Sequence, residues 1–179
     1  VSTVDRIDYS SDTGTAPSKG PLSSTRTSMA ATGNSEFGYF GGGPGSNIST
    51  VDRIDYGNDT ATASPKGPLS ANRTSMAATS RKAYGLPYTG NISPVATNFG
   101  YFGGSKPSNS TVDRIDYSND TATSSVKGPL SSARYLAGAT GNSSFGYVGG
   151  GHPGKSTVDR VDYSNDTATA AAKGPLSVA

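Results

Sequence analysis

The residues with most capacity for chemistry recur in one short string. Asp-Tyr-Ser-Asn-Asp-Thr, or a close variant, sets two carboxylates four positions apart at Asp8 and Asp12, Asp55 and Asp59, Asp116 and Asp120, and Asp162 and Asp166. Calcium takes about six to eight oxygen ligands, and acidic turns can supply some of them. Asp55, Asp59, Asp116 and Asp120 are therefore the calcium candidates. The spacing does not match an EF-hand loop, and an extended chain would spread the two carboxylates. Asn and Asp side chains also fold back on their own backbone, so an Asx turn between two strands accounts for the same residues without a metal.

Asp52, Arg53 and Asp55 form a second recurrent group. Arg could contact a glycan or a carboxylate there. An ion pair is the simpler expectation, because Arg53 and Asp55 share a face at a period of two, and an exposed pair is worth at most about 1 kcal/mol. Stacked units could instead bury this Arg and use its fork to tie neighbouring strands. The one His, His152, lies in Gly149-Gly150-Gly151-His152-Pro153-Gly154. With no second His and no Cys, it completes neither a zinc site nor a nucleophile–base pair, so a structural loop is expected. Gly41-Gly42-Gly43-Pro44-Gly45 lacks the Gly-Lys-Ser/Thr ending of a phosphate loop and reads as a turn. No catalytic set and no cofactor is expected.

What could position these residues is constrained by composition. Fifteen basic residues face thirteen acidic ones, so no basic stripe predicts a nucleic-acid partner. No apolar run approaches the roughly 18 residues that cross a bilayer, so no membrane span is expected. Leu, Ile, Val and Phe total 26 of 179 residues, whereas Ser, Thr and Gly number 28, 20 and 24. A core must then lean on Tyr, Ala, Thr and close Gly packing, which suits thin β-sheets better than helices.

Self-similarity fixes the organisation. VDRIDY begins at Val4, Val51 and Val112, and returns as VDRVDY at Val158, with spacings of 47, 61 and 46 residues. KGPLS follows at Lys19, Lys66, Lys127 and Lys173, and FGY with a Gly pair begins at Phe37, Phe99 and Phe145. The long middle spacing marks an insertion at about residues 80–97, placed before the second FGY. The chain divides into a half repeat at 1–28, repeat 1 at 29–75, repeat 2 with the insertion at 76–133, and repeat 3 at 134–179.

Each unit reads as four short strands. In Thr50–Tyr56, Asp52, Ile54 and Tyr56 alternate with Val51, Arg53 and Asp55, the period-two pattern of a strand. Gly57-Asn58-Asp59-Thr60 is a turn, and Ala61–Ser64 can pair back as the next strand. Lys66-Gly67-Pro68-Leu69-Ser70 should stop it. Met76–Thr79 and Phe99–Gly104 supply the two remaining strands. Helical repeats are excluded by the frequency of Gly and Pro, and collagen by the absence of Gly at every third position.

The order of motifs resembles the kelch repeat. Its Gly doublet matches Gly41-Gly42, Gly103-Gly104 and Gly149-Gly150, and its Tyr matches Tyr9, Tyr56, Tyr117 and Tyr163. Its Pro loop leading to an Arg matches Pro21 with Arg26, Pro68 with Arg73, and Pro129 with Arg134. Small residues near Thr15, Thr62, Thr123 and Thr169 stand where that family carries a Trp. Gly41, Gly42, Tyr56, Arg73, Gly103, Gly104, Tyr117 and Arg134 are accordingly the expected structural repeat residues. The resemblance implies kelch-like β-propeller blades, with an open β-repeat array or fibre as the alternative. Near-identity of the units is also similar to tandem-repeat surface proteins of marine viruses and bacteria.

These readings converge on an all-β, non-enzymatic structural or adhesive protein on a virion or cell surface, in an extracellular setting. Expected partners are neighbouring repeats or self-association, and a glycan or host-surface protein. An intracellular kelch-type interaction propeller is the second reading.

Overall fold

The computed structural model describes residues 1–11, 13–44, 49–81 and 98–178. It is an all-β chain with three four-stranded antiparallel sheets, each an up-and-down meander in sequence order. The first sheet holds β1 (Ala30–Gly33), β2 (Phe37–Gly41), β3 (Val51–Asp55) and β4 (Ser64–Lys66). The second holds β5 (Ala77–Ser80), β6 (Phe99–Ser105), β7 (Asn109–Asp116) and β8 (Ser125–Lys127). The third holds β9 (Gly138–Gly141), β10 (Phe145–Gly149), β11 (Val158–Asp162) and β12 (Ala171–Lys173). Asp12 and most of the insertion lie outside the described residues.

Two strand ends differ from the sequence expectation. The strand through VDRID stops at Asp55, and Tyr56–Asn58 forms a 3-10 turn in which the Gly57 N–H is capped by the Asp55 carboxylate. That turn consumes residues, so the return strand expected at Ala61–Ser64 begins only at Ser64 and takes in Lys66, where a stop was expected. Ser64 pairs with Arg53 and Pro65 with Asp52. Pro65 is tolerated because β4 is an edge strand, where a missing N–H leaves no ladder bond unmade. Elsewhere the strands fall where period two puts them. The second Gly of each pair is left-handed, at Gly42 (φ 73°), Gly104 (φ 71°) and Gly150 (φ 69°), and β2 and β10 end just before it. In β6 this coincides with a register shift between Gly103 and Ser105.

The core lies between sheets rather than within one. Both faces of the VDRID strand are covered: Val112 and Ile115, on opposite faces, are each 1% exposed. One cluster joins Tyr39, Val51 and Leu69 to Met76, Phe102, Ile115 and Tyr117 of the next sheet. A second joins Tyr101, Val112 and Leu130 to Val148, Val161 and Tyr163. A third joins Leu22 of the half repeat to Ile54 and Ala63. No sheet could bury these residues alone, which is why the fold depends on repetition. Along one edge of the stack, β1 lies beside β5 and β5 beside β9. Thr side chains tie this edge together: the Thr32 hydroxyl donates to the Thr79 carbonyl at 3.0 Å, and that of Thr79 to the Thr140 carbonyl at 3.1 Å.

Candidate functional site

Strand alternation sends Val51 and Arg53 toward the following sheet, and Asp52 and Ile54 toward the preceding unit. Arg53 therefore does not pair with Asp55, as its position on the same face suggested. Its guanidinium reaches across to Asp120 of the next unit at 2.8 Å, and lies 4.3 Å over the Phe37 ring. Asp55 is turned instead to its own backbone, accepting from the Gly57 amide at 2.8 Å. The Tyr39 hydroxyl donates to the same Asp120 oxygen at 3.0 Å, and Lys66 stands 3.6 Å from the other. The set repeats one junction on: Arg114, Tyr101 and Lys127 meet Asp166 at 2.7, 3.0 and 3.5 Å. At the first junction Arg6 and Lys19 meet Asp59 at 2.7 and 3.3 Å.

The first Asp of VDRIDY has a different task. Asp52, Asp113 and Asp159 are fully buried. Each accepts the amide and hydroxyl of the Ser that ends KGPLS in the preceding unit: Ser23, Ser70 and Ser131. Each also meets that unit's Arg. Arg26 bonds Asp52, Arg73 lies 3.3 Å from Asp113, and Arg134 lies 3.0 Å from Asp159. Arg134 further donates to the Thr157 and Gly150 carbonyls at 2.7 and 3.2 Å, so its fork joins three chain segments. Burial pushes the Asp113 carboxyl up, against the Ser70 hydrogen bonds and the Arg73 charge. Burial likewise pushes the Arg73 guanidinium down.

Tyrosines and glycines complete the junction. Tyr117 stacks on Tyr39 of the preceding sheet with centroids 4.7 Å apart, and Tyr163 stacks on Tyr101 at 4.8 Å. Room for them comes from the Gly of FGY, since a side chain at Gly100 or Gly146 would strike the Tyr117 or Tyr163 ring. Burial pushes the Tyr117 phenol well above its ordinary value, and does the same at Tyr39 and Tyr101, where the neighbouring Asp adds to it. The Gly of KGPLS closes the contact. A side chain at Gly20, Gly67 or Gly128 would collide with the carbonyl of Ala61, Ala122 or Ala168 in the next unit.

The calcium candidates thus separate. Asp59 and Asp120 face cations across junctions, while Asp55 and Asp116 cap their own turns, Asp116 accepting from the Ser118 amide at 2.9 Å. No group of three or more His, Asp or Glu side chains poised for a metal occurs among the described residues. Of the expected repeat residues, Arg73, Arg134 and Tyr117 are buried in junctions, Gly42 and Gly104 are left-handed, Gly41 ends the β2–β3 ladder, and Gly103 precedes the register shift in β6. Tyr56 is 52% exposed.

Concave features also occur among the described residues. A cavity of about 500 Å³ between the half repeat and the first sheet is lined by Arg6, Ile7, Tyr9, Phe40 and Tyr56, among others. A shallower one of about 410 Å³ is lined by Lys106, Pro107, Ser108, Tyr135, His152 and Pro153. There His152 packs on Tyr135 with centroids 4.8 Å apart, and the Lys106 ammonium stands 5.9 Å from the same ring. The Gly-rich setting of His152 indicates a loop, and the structure brings Tyr135 against it. The Thr-to-Tyr change in the residue after the conserved-position Arg (Thr27 and Thr74, but Tyr135) was the available signal. No protein-family model matches this chain, and no curated protein matches it.

Proposed function

We propose that this chain is a non-enzymatic structural or adhesive repeat array, its sheets arranged as kelch-like propeller blades or as an open stack, displayed on a virion or cell surface. The observation that carries the reading is the use made of the recurrent charged residues. Arg53, Arg114, Asp120 and Asp166 join one unit to the next, and Asp113 with Arg73 does the same from within the core. Side chains engaged in this way hold sheets in register rather than meet a substrate. The edge-to-edge run of β1, β5 and β9 supports a radial arrangement of the sheets, since blades of a propeller approach one another along their first strands.

Multivalent weak binding suits a surface offered several times, because linked sites gain avidity. The Lys106, Tyr135 and His152 groove combines an aromatic body with donors, the chemistry of a glycan or host-protein contact. A glycan array and a pull-down with host cell surfaces test the adhesive part. Binding that Tyr135→Ala reduces is expected; flat signals in both assays would remove adhesion and leave a structural role. An intracellular kelch-type interaction propeller is the second reading. Recovery of the protein from purified particles or culture medium would count against it.

A further inference from the structure

The groove beside His152 is built where the units stop being alike. Lys106 and His152 hold one position in successive units, each two residues after a left-handed Gly and just before a Pro; the first unit has Pro44 there. Tyr135 stands where the other units have Thr27 and Thr74. Tyr135 belongs to none of the three buried clusters, and Leu136, next in the chain, is 65% exposed where the other units have Ser28 and Ser75. These substitutions add little to the core, whereas the buried Asp, Arg and Tyr of the junctions recur from unit to unit.

The backbone under the groove is fixed. The Lys106 amide donates to the Thr74 carbonyl at 2.9 Å, and the Tyr135 and His152 amides donate to each other's carbonyls at 3.2 and 2.8 Å. What projects from it is a set of donors. Lys19, Lys66 and Lys127 each face a carboxylate, whereas Lys106 faces none among the described residues. Its ammonium stands 5.9 Å from the Tyr135 ring, at the outer reach of a cation–π contact. The lining holds no Asp, Glu, Asn or Gln. Neutral sugar hydroxyls need acceptors as well as donors, while an ionised acid group only accepts, so this lining favours an anion. Pro107, Pro153 and the packed Tyr135 and His152 rings add apolar walls that suit the C–H faces of a sugar ring. Backbone groups that could pair with a peptide are already used in the Thr74–Lys106 and Tyr135–His152 bridges.

We infer that this groove binds an acidic saccharide, its ring against the Tyr135 and His152 rings and its carboxylate or sulfate on the Lys106 ammonium. A volume of about 410 Å³ lies in the range that holds a small ligand, so a terminal sugar is the occupant rather than a long chain. The inference rests on the adhesive reading above and deepens it by naming the class of glycan. It also places the site at one junction, between the second and third sheets, because the residues that build it do not recur at the first.

Titration of the full chain with saccharides, followed by NMR, tests this. His152 is the one His, so its ring signals identify themselves. The probes are sialyllactose and trigalacturonate, which carry carboxylates, a sulfated lactose, and lactose itself as the neutral control. Salt-sensitive, saturable shifts of the His152 signals are expected with an acidic probe, and the carboxylated and sulfated arms tell which anion the groove takes. Lys106→Met should weaken binding about tenfold, the loss of one charge-assisted hydrogen bond. Tyr135→Thr, which restores the residue of the other units, should weaken it at least as much while the melting temperature shows the fold intact. Lys173→Met, exposed on β12 and outside the groove, should leave affinity unchanged. Lactose bound as tightly as the acidic probes, or affinity indifferent to Lys106→Met, would overturn the inference and leave adhesion standing. Hexaglutamate bound as tightly as any acidic saccharide would overturn it in favour of an acidic protein. Unmoved His152 signals with every saccharide would also overturn it; signals that persist on the glycan array or host cells would then keep adhesion at another surface, and flat signals there would remove adhesion too.

Discussion

Arg134 and Asp159 show how a single pair can hold this molecule. Both side chains are 0% exposed, and the Ser131 amide and hydroxyl occupy the carboxylate's remaining positions. Removing one charge leaves the other buried and uncompensated. Asp159→Ala should cost about 3–5 kcal/mol in urea unfolding, whereas Arg134→Met with Asp159→Leu should cost much less, since the pair's attraction is largely offset by its desolvation. Outside the core the logic is local. The Ser164 amide and hydroxyl both donate to Asp162, and they hold its carboxyl below the ordinary Asp value. A carboxyl depressed in the folded state contributes stability above its unfolded value and loses it as pH falls through the folded one. Ser164→Ala should therefore move the Asp162 titration upward, as followed by carboxyl carbon NMR. The turn role of Asp162 was legible in the sequence, because Asx turns depend on near neighbours. The buried role of Asp159 was not, since its Ser and Arg partners lie about 25 to 28 positions away.

At the scale of elements, period two and Gly-Pro punctuation were enough to find four strands in each unit. They failed where a turn consumed residues, as at Ser64–Lys66, because the length of a 3-10 turn is not written in alternation. Backbone conformation offers a sharper test. Ser28, Ser75 and Leu136 occupy equivalent places with φ of 52°, 56° and 55°. Ser75 donates its amide to the Ser28 carbonyl, and Leu136 to the Ser75 carbonyl, both at 2.9 Å. A left-handed conformation costs a residue with a Cβ about 1–2 kcal/mol, and Leu136 is 65% exposed with little packing to lose. Leu136→Gly should thus be neutral or stabilising by about 1 kcal/mol, measured by thermal unfolding. Glycines give the converse contrast. Gly128→Ala drives a methyl into the Ala168 carbonyl and should cost about 1–3 kcal/mol, while Gly138→Ala enters open space and should not destabilise.

For the whole molecule, stability is distributed over junctions, so it should be uneven along the chain. Among its described residues the half repeat has a single β-bridge, Asp5 with Ser18, and leaves Ile7 60% exposed, while Ile54 and Ile115 are 6% and 1%. Hydrogen exchange should be fastest in residues 1–20 and slowest in β6 and β7, which carry the most extensive pairing. Repetition and strand content were legible in the sequence, as was the need for neighbouring units. The partner of each Arg was not: Arg53 finds its acid 67 positions on, across an insertion that sequence spacing treats as an interruption.

The direction of these links has an evolutionary corollary. At the described junctions the Arg of one module reaches forward to an Asp of its successor, with a Tyr beside it at two of the three, and the KGPLS Ser and its Arg reach forward to the next buried Asp. Any module is therefore compatible with any other on either side. Unequal recombination that excised or duplicated one module in frame would rejoin surfaces that already match, so copy number can drift in whole steps while the amino-acid text of each module stays constrained.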